Sequence, residues 1–119
     1  MNYDEMPAGR EMDALVATKV MGWTNLYNRF GNEMGYRPLA THSSFIPDYS
    51  ADIAAAWEVI EKLHAAGRFM CLDALGFDGE KWRCFFAWTQ IEKQQYPWIG
   101  EADTAPLAVC RAALKAVTP

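Results

Sequence analysis

A chain of 119 residues is long enough for one domain with a real core and too short for two. Half of its residues are hydrophobic and 13% are aromatic, which excludes a disordered chain. Its eleven Lys and Arg are scattered among fifteen Asp and Glu for a net charge of −4, which excludes long nucleic acid as a partner because phosphate-backbone binding needs a basic face.

No apolar run reaches the roughly 18 residues that span a bilayer. The start, Met1-Asn2-Tyr3-Asp4-Glu5, is acidic where a secretion signal is basic, so a cytosolic protein without a membrane anchor is expected. Cys71, Cys84 and Cys110 lie in apolar surroundings with no CxxC pair, and read as buried thiols rather than as metal ligands or disulfides.

The first predicted helix covers about 10–21, with Met12, Leu15, Val16 and Val20 on one face and Gly22 ending it. Its polar side, Arg10, Asp13 and Lys19, suggests no site. Residues 22–49 then lose periodicity and carry three glycines, two prolines and six aromatics. A connection this long is uncommon in a small domain and is often functional. One reading puts its aromatics partly in the core, with a short edge strand near Tyr36 to Leu39. The other makes some of Trp23, Tyr27, Phe30, Tyr36, Phe45 and Tyr49, with Arg29, Arg37, His42, Ser43 and Ser44, the lining of a pocket for a flat, charged ligand, because aromatic faces stack on bases while Arg and hydroxyl groups hold phosphates.

The best-specified element follows, a helix over about 51–66. Ser50 is its expected N-cap, Asp52 sits in its first turn, and Tyr49 is placed to staple onto Ala54. Ile53, Ala56, Trp57, Ile60 and Leu63 form its apolar stripe, and Trp57 at the centre is expected to anchor the core. Strands follow at about 69–75 and 81–89, with Asp78-Gly79 as a hairpin signal between them. The second strand is apolar on both faces, which implies a sheet covered on both sides; Arg83 interrupts it as an edge residue or an anion contact. Residues 90–103 read as a loop whose Tyr96-Pro97-Trp98 packs back on the fold or forms a binding surface. A last helix, about 105–117, starts at Thr104 with Pro106 in its first turn and buries Leu107, Cys110, Leu114 and Val117. Arg111 and Lys115 lie on its other side. The elements make an α+β fold.

Three blocks, Gly9–Ala17 with the Val20-Met21-Gly22-Trp23 that follows, Pro47–Leu63, and Thr104–Leu114, together resemble the phage ABA sandwich domain over nearly the whole chain. The resemblance implies a helix-sheet-helix sandwich and a protein at work in the cytoplasm of an infected bacterial host. It implies no activity, since most members of that family have none known.

The chemistry of catalysis is thin: there is no phosphate loop, HExxH or GxSxG, and only His42 and His64. No cofactor and no metal are expected. Three functions stand: a non-enzymatic binder of a small nucleotide-like ligand, of the kind phages use as sponges for cyclic nucleotide immune signals; a protein-interaction module; and a small hydrolase of such a signal. On the first, Trp23, Tyr36, Tyr96 or Trp98 stack a base and Arg29, Arg37 or Arg83 contact phosphate. An acidic chain would then gather positive charge by pairing with a second copy, so a homo-oligomer is expected.

Overall fold

The computed structural model describes residues 2–75, 81–87 and 98–118. The Asp78-Gly79 turn, Trp88, Thr89 and Tyr96 of the sequence reading lie outside them.

Among the described residues, three helices and two three-stranded antiparallel sheets make up the α+β sandwich. Helix α1 (Arg10–Leu15) runs without a break into one π-helical segment, Val16–Val20. Met12 and Val16 are fully buried on it, and Gly22, at φ 79°, turns the chain out of it. The first sheet comprises β1 (Thr24–Arg29), β2 (Asn32–Tyr36) and β3 (Ser44–Phe45), in that order. The second comprises β4 (Phe69–Leu75), β5 (Lys81–Ala87) and β6 (Trp98–Ala102), also in chain order. Helix α2 (Ile53–Ala65) joins the sheets and α3 (Ala105–Val117) closes the chain.

The first sheet corrects the expectation of an irregular 22–49 segment. Thr24 pairs with Tyr36 and Tyr27 with Met34, so β1 holds one residue more than β2 in that span and bulges there. The hairpin turns through Phe30 and Gly31, both at positive φ (53° and 84°), the pattern of a type I′ turn. The expected strand near Tyr36 to Leu39 lies earlier, in β2. Likewise β6 occupies the end of what reads as a loop at 90–103.

In the second sheet, Leu72, Cys84 and Gly100 stand side by side, as do Met70, Phe86 and Trp98. This face takes α3. A Cβ added at Gly100 would run into the Ala108 carbonyl oxygen and the Ala112 amide nitrogen, so backbone meets backbone there. The opposite face carries Asp73, Arg83 and Glu101 in one polar row.

Helix α3, rather than α2, is what the rest packs around. Val109, Cys110, Ala112, Ala113 and Leu114 are fully buried, with β5 and β6 against it and α2 and the π-helical segment on its other sides. Leu107 and Val117, expected in the core, are only half-buried. Thr104 stands at its N-cap without a side-chain cap bond, and Pro106 follows in the first turn.

Two more expectations change in α2. Its N-cap is Asp52, whose carboxylate accepts the Ala54 N–H at 3.0 Å, while Ser50 is buried and bonded elsewhere. Trp57 and Ile53 are 49% and 48% exposed. The buried stripe is Ala55, Ala56, Val59, Ile60 and Leu63 instead, rotated away from Trp57.

Candidate functional site

Four elements bring Trp23, Arg37, Tyr49 and Glu58 together. Trp23 follows the π-helical segment, and its amide donates to the Ala17 carbonyl at 2.9 Å. Arg37 leaves the end of β2, Tyr49 sits in the turn before α2, and Glu58 projects from α2. Gly35 makes the packing possible: a Cβ there would lie 2.9 Å from Leu26 Cδ1 and 3.1 Å from Trp23 Cε3.

The Arg37 guanidinium lies over the Trp23 ring, 4.8 Å from its centroid. Its Nη1 is 3.9 Å from Glu58 Oε1, with both side chains half-exposed. With Arg37 half-exposed over a buried ring, the cation–aromatic contact contributes about 0.5–2 kcal/mol and the surface ion pair about 0–1 kcal/mol, so Glu58 holds Arg37 only lightly. Beneath it, Trp23 is 3% exposed and Tyr49 fully buried, and neither the indole N–H nor the phenol hydroxyl has a hydrogen-bond partner. Burial raises the Tyr49 pKa, while Arg37 lowers it and Glu58 raises it, so both charges reach the phenol. The indole N–H also lowers it from nearby, without hydrogen-bond geometry.

The other candidate residues lie apart from this cluster. Arg29 ends β1 with its guanidinium 5.9 Å from the Phe30 ring. Tyr36, half-buried, precedes Arg37 and pairs with Thr24. His42 is exposed, Ser43 shares a 2.7 Å hydrogen bond with the Tyr27 hydroxyl, and Ser44 pairs with Gly35. Arg83 and Trp98 belong to the second sheet. Arg83 Nε donates to Glu101 Oε1 at 2.9 Å, and Arg68 lies 4.9 Å over the Trp98 ring.

Sequence reasoning left out Glu58, which reads as a solvated helix position, and did not single out Tyr49 among the aromatics of 22–49, because it reads as a helix staple. It also missed the roles of Arg111 and Lys115. Arg111 donates to the Glu101 and Met6 carbonyls at 2.7 and 2.9 Å, and Lys115 to Asp4 and to the Ile99 carbonyl. These cations line a cleft of about 420 Å³ with Lys81, but they are spent on tying the N-terminal segment and β6 to α3. A second cleft, of about 620 Å³, runs between α1 and the first sheet past Arg10, Asp13, Glu33, Phe45 and Asp48.

Cys84 and Cys110 are fully buried, and burial pushes both thiols far above their ordinary range, which removes the thiolate a nucleophile needs. Cys71, expected to be buried, is half-buried and donates weakly to Asp73. Among the described residues no three His, Cys, Asp or Glu side chains gather as a metal site, and no helix is long and apolar enough to cross a membrane.

The fold defines a small α+β sandwich protein, in which Arg37 lies over the buried Trp23 ring. The model of the phage ABA sandwich domain matches residues 14–114, and the chain belongs to that family. The chain is also similar to the solved structure of a phage protein from Bacillus cereus ATCC 14579, at 24% identity and a TM-score of 0.64, over 96% of this chain and 95% of that one. That likeness is one of fold. No curated protein matches the sequence.

Proposed function

We propose that this phage protein is a non-enzymatic accessory protein that binds and holds a small nucleotide-like ligand, such as a cyclic nucleotide immune signal, in the cytoplasm of the infected host. The reading is carried by the Trp23–Arg37–Tyr49 cluster: a lightly held guanidinium over an indole, with two buried donors beneath it left unmet. Buried polar groups without partners are rare, and a ligand that supplies acceptors is one resolution. The inert thiols Cys84 and Cys110 favour binding over turnover. With a net charge of −4, two copies pairing near Arg37 would concentrate positive charge, so a homo-oligomer belongs to the proposal.

The test is a thermal-shift screen against linear and cyclic nucleotides, followed by heating any stabilised complex and weighing the released ligand. At a hundred times its dissociation constant a ligand adds about 2.7 kcal/mol, a rise on the order of 10 °C for a domain of this size. Intact ligand supports the sponge and a cleaved product makes the protein a hydrolase. No shift removes the ligand reading.

A second reading, a module that grips a host or phage protein, is favoured by Phe30. This side chain is 94% exposed at the tip of the first hairpin, at φ 53°, where Asn or Gly is the unstrained choice. Tyr27 and Phe45, both exposed, flank Met34 in one cross-strand row behind it.

A further inference from the structure

We infer that the group recognised between Trp23, Arg37 and Tyr49 is a phosphoryl oxyanion, and that it binds by drawing Arg37 away from Glu58. The inference rests on the ligand-binding reading above and names its chemistry. Apart from the Glu58 carboxylate, the cluster offers donors: the planar fork of Arg37, the Trp23 indole N–H and the Tyr49 hydroxyl, which can also accept. The last two are buried and unpartnered. A neutral acceptor would leave Arg37 with no counter-charge beyond the one it has. A carboxylate is already at hand, since Glu58 stands 3.9 Å from Arg37, yet it meets neither buried donor. A phosphoryl group brings more acceptor oxygens, spread tetrahedrally, so it can take the guanidinium fork on one edge and a second donor on another.

The role of Trp23 changes accordingly. At 3% exposure, with Arg37 across its face, the indole acts through its N–H rather than as a stacking platform for a base. Glu58 becomes the competitor: it holds Arg37 in the empty protein and releases it when the anion arrives. This explains why a cation beside a buried donor pair keeps an ion pair at the outer limit of contact instead of a close one.

The probe is inorganic pyrophosphate, titrated calorimetrically into the full chain against acetate at matched ionic strength. Pyrophosphate is expected to bind at least tenfold tighter than acetate. Arg37→Gln should abolish binding, and Glu58→Gln should tighten it several-fold because the competing carboxylate is gone. Tyr49→Phe should weaken it about tenfold, the factor for about 1.4 kcal/mol, without lowering the melting temperature of the free protein, since it deletes an unpartnered buried hydroxyl. Trp23→Phe repeats that test at the second donor. Equal binding of acetate, or unchanged binding by both Glu58→Gln and Tyr49→Phe, overturns the inference. If nucleotides stabilise the protein while pyrophosphate does not bind, the oxyanion site falls and the ligand reading stands; if neither acts, both fall.

Discussion

Both donors of Ser50 converge on one oxygen of Asp13, across 37 residues of chain: its amide lies 2.8 Å and its hydroxyl 2.6 Å from Oδ1. The same hydroxyl accepts the Gly9 N–H at 2.9 Å. The chain's entry into α1 is thereby clamped to its entry into α2. Ser50 is completely buried and Asp13 is 6% exposed, so the clamp lies at the floor of the larger cleft and not at the surface.

The clamp makes stability depend on pH in a stated direction. Burial raises the Asp13 pKa, opposed by the two Ser50 hydrogen bonds and aided by the negative charge of Asp48. A carboxyl raised in the folded state stabilises that state fully below its unfolded value, near 3.9, and the contribution is lost as pH rises through the folded value. Asp13→Asn keeps an acceptor for Ser50 and removes the buried charge. The variant is therefore expected to gain stability relative to the parent as pH rises above about 4 and to hold that gain at pH 7. Urea midpoints at pH 4, 5, 6 and 7 check this; a gap that shrinks with pH contradicts it. Asp13→Ala, which strands both Ser50 donors, should instead lose about 1–3 kcal/mol.

Trp57 separates surface from core. Its stripe pattern makes it the expected anchor of α2, and emptying a core Trp site costs about 3–5 kcal/mol. At 49% exposure it has half of that burial to lose, so Trp57→Ala should cost about 1–2 kcal/mol, read as the shift in a urea transition. Leu63→Ala on the same helix, at 4% exposure, should cost about 2–5 kcal/mol. If the two losses reverse in size, the rotation of α2 described above is wrong.

The hairpin tip offers a case where stability and function pull apart. Phe30 gains nothing from burial and holds a positive φ, a conformation that costs a non-glycine residue about 1–2 kcal/mol. Phe30→Asn fits the turn and should raise stability by roughly 0.5–1 kcal/mol, seen as a higher melting temperature. If the tip is also a contact surface, the same variant loses partner binding in a pull-down while gaining stability. A residue that mattered to neither would leave both readouts unchanged.

The helices were legible in the sequence because each carries a 3.6-residue apolar pattern and a breaker: Gly22 after the first, Pro106 at the start of the last. Strands β4 and β5 were legible as apolar runs. Sheet one was not, because β1 reads Thr-Asn-Leu-Tyr-Asn-Arg and its turn is Phe-Gly, so neither strand composition nor an Asn-Gly or Asp-Gly signal marks it. The rotation of α2 was hidden by Ala55: it points into the core beside Val59, but an alanine weighs little against Trp57 in a pattern. For the candidate cluster, Trp23 and Arg37 were nominated by residue type alone. That Tyr49 and Glu58 join them became visible only once the turn before α2 folded against the end of β2, a contact that no spacing in the chain encodes.

Gly100 tests how closely the second sheet and α3 approach. It stands in β6 beside Cys84, and a methyl group there would meet the Ala108 carbonyl, the Ala112 amide and, at 2.9 Å, the Arg111 Cβ. Two of these are backbone atoms of a helix buried on nearly every side, so no side-chain rotation can relieve the clash. Gly100→Ala should therefore force β6 and α3 apart and cost about 3 kcal/mol or more, the upper end of overpacking losses. The comparison is Gly31→Ala, which meets nothing within 4 Å and carries only the strain of its positive φ, about 1 kcal/mol. Arg111 adds a second readout, since its guanidinium bridges the Glu101 and Met6 carbonyls from the same stretch of α3. Separation of β6 from α3 should break that bridge, so that Arg111→Ala costs less stability in the Gly100→Ala background than in the Gly31→Ala background. Equal stability of the two variants and equal losses from Arg111→Ala would mean that the helix and sheet do not meet backbone to backbone at Gly100.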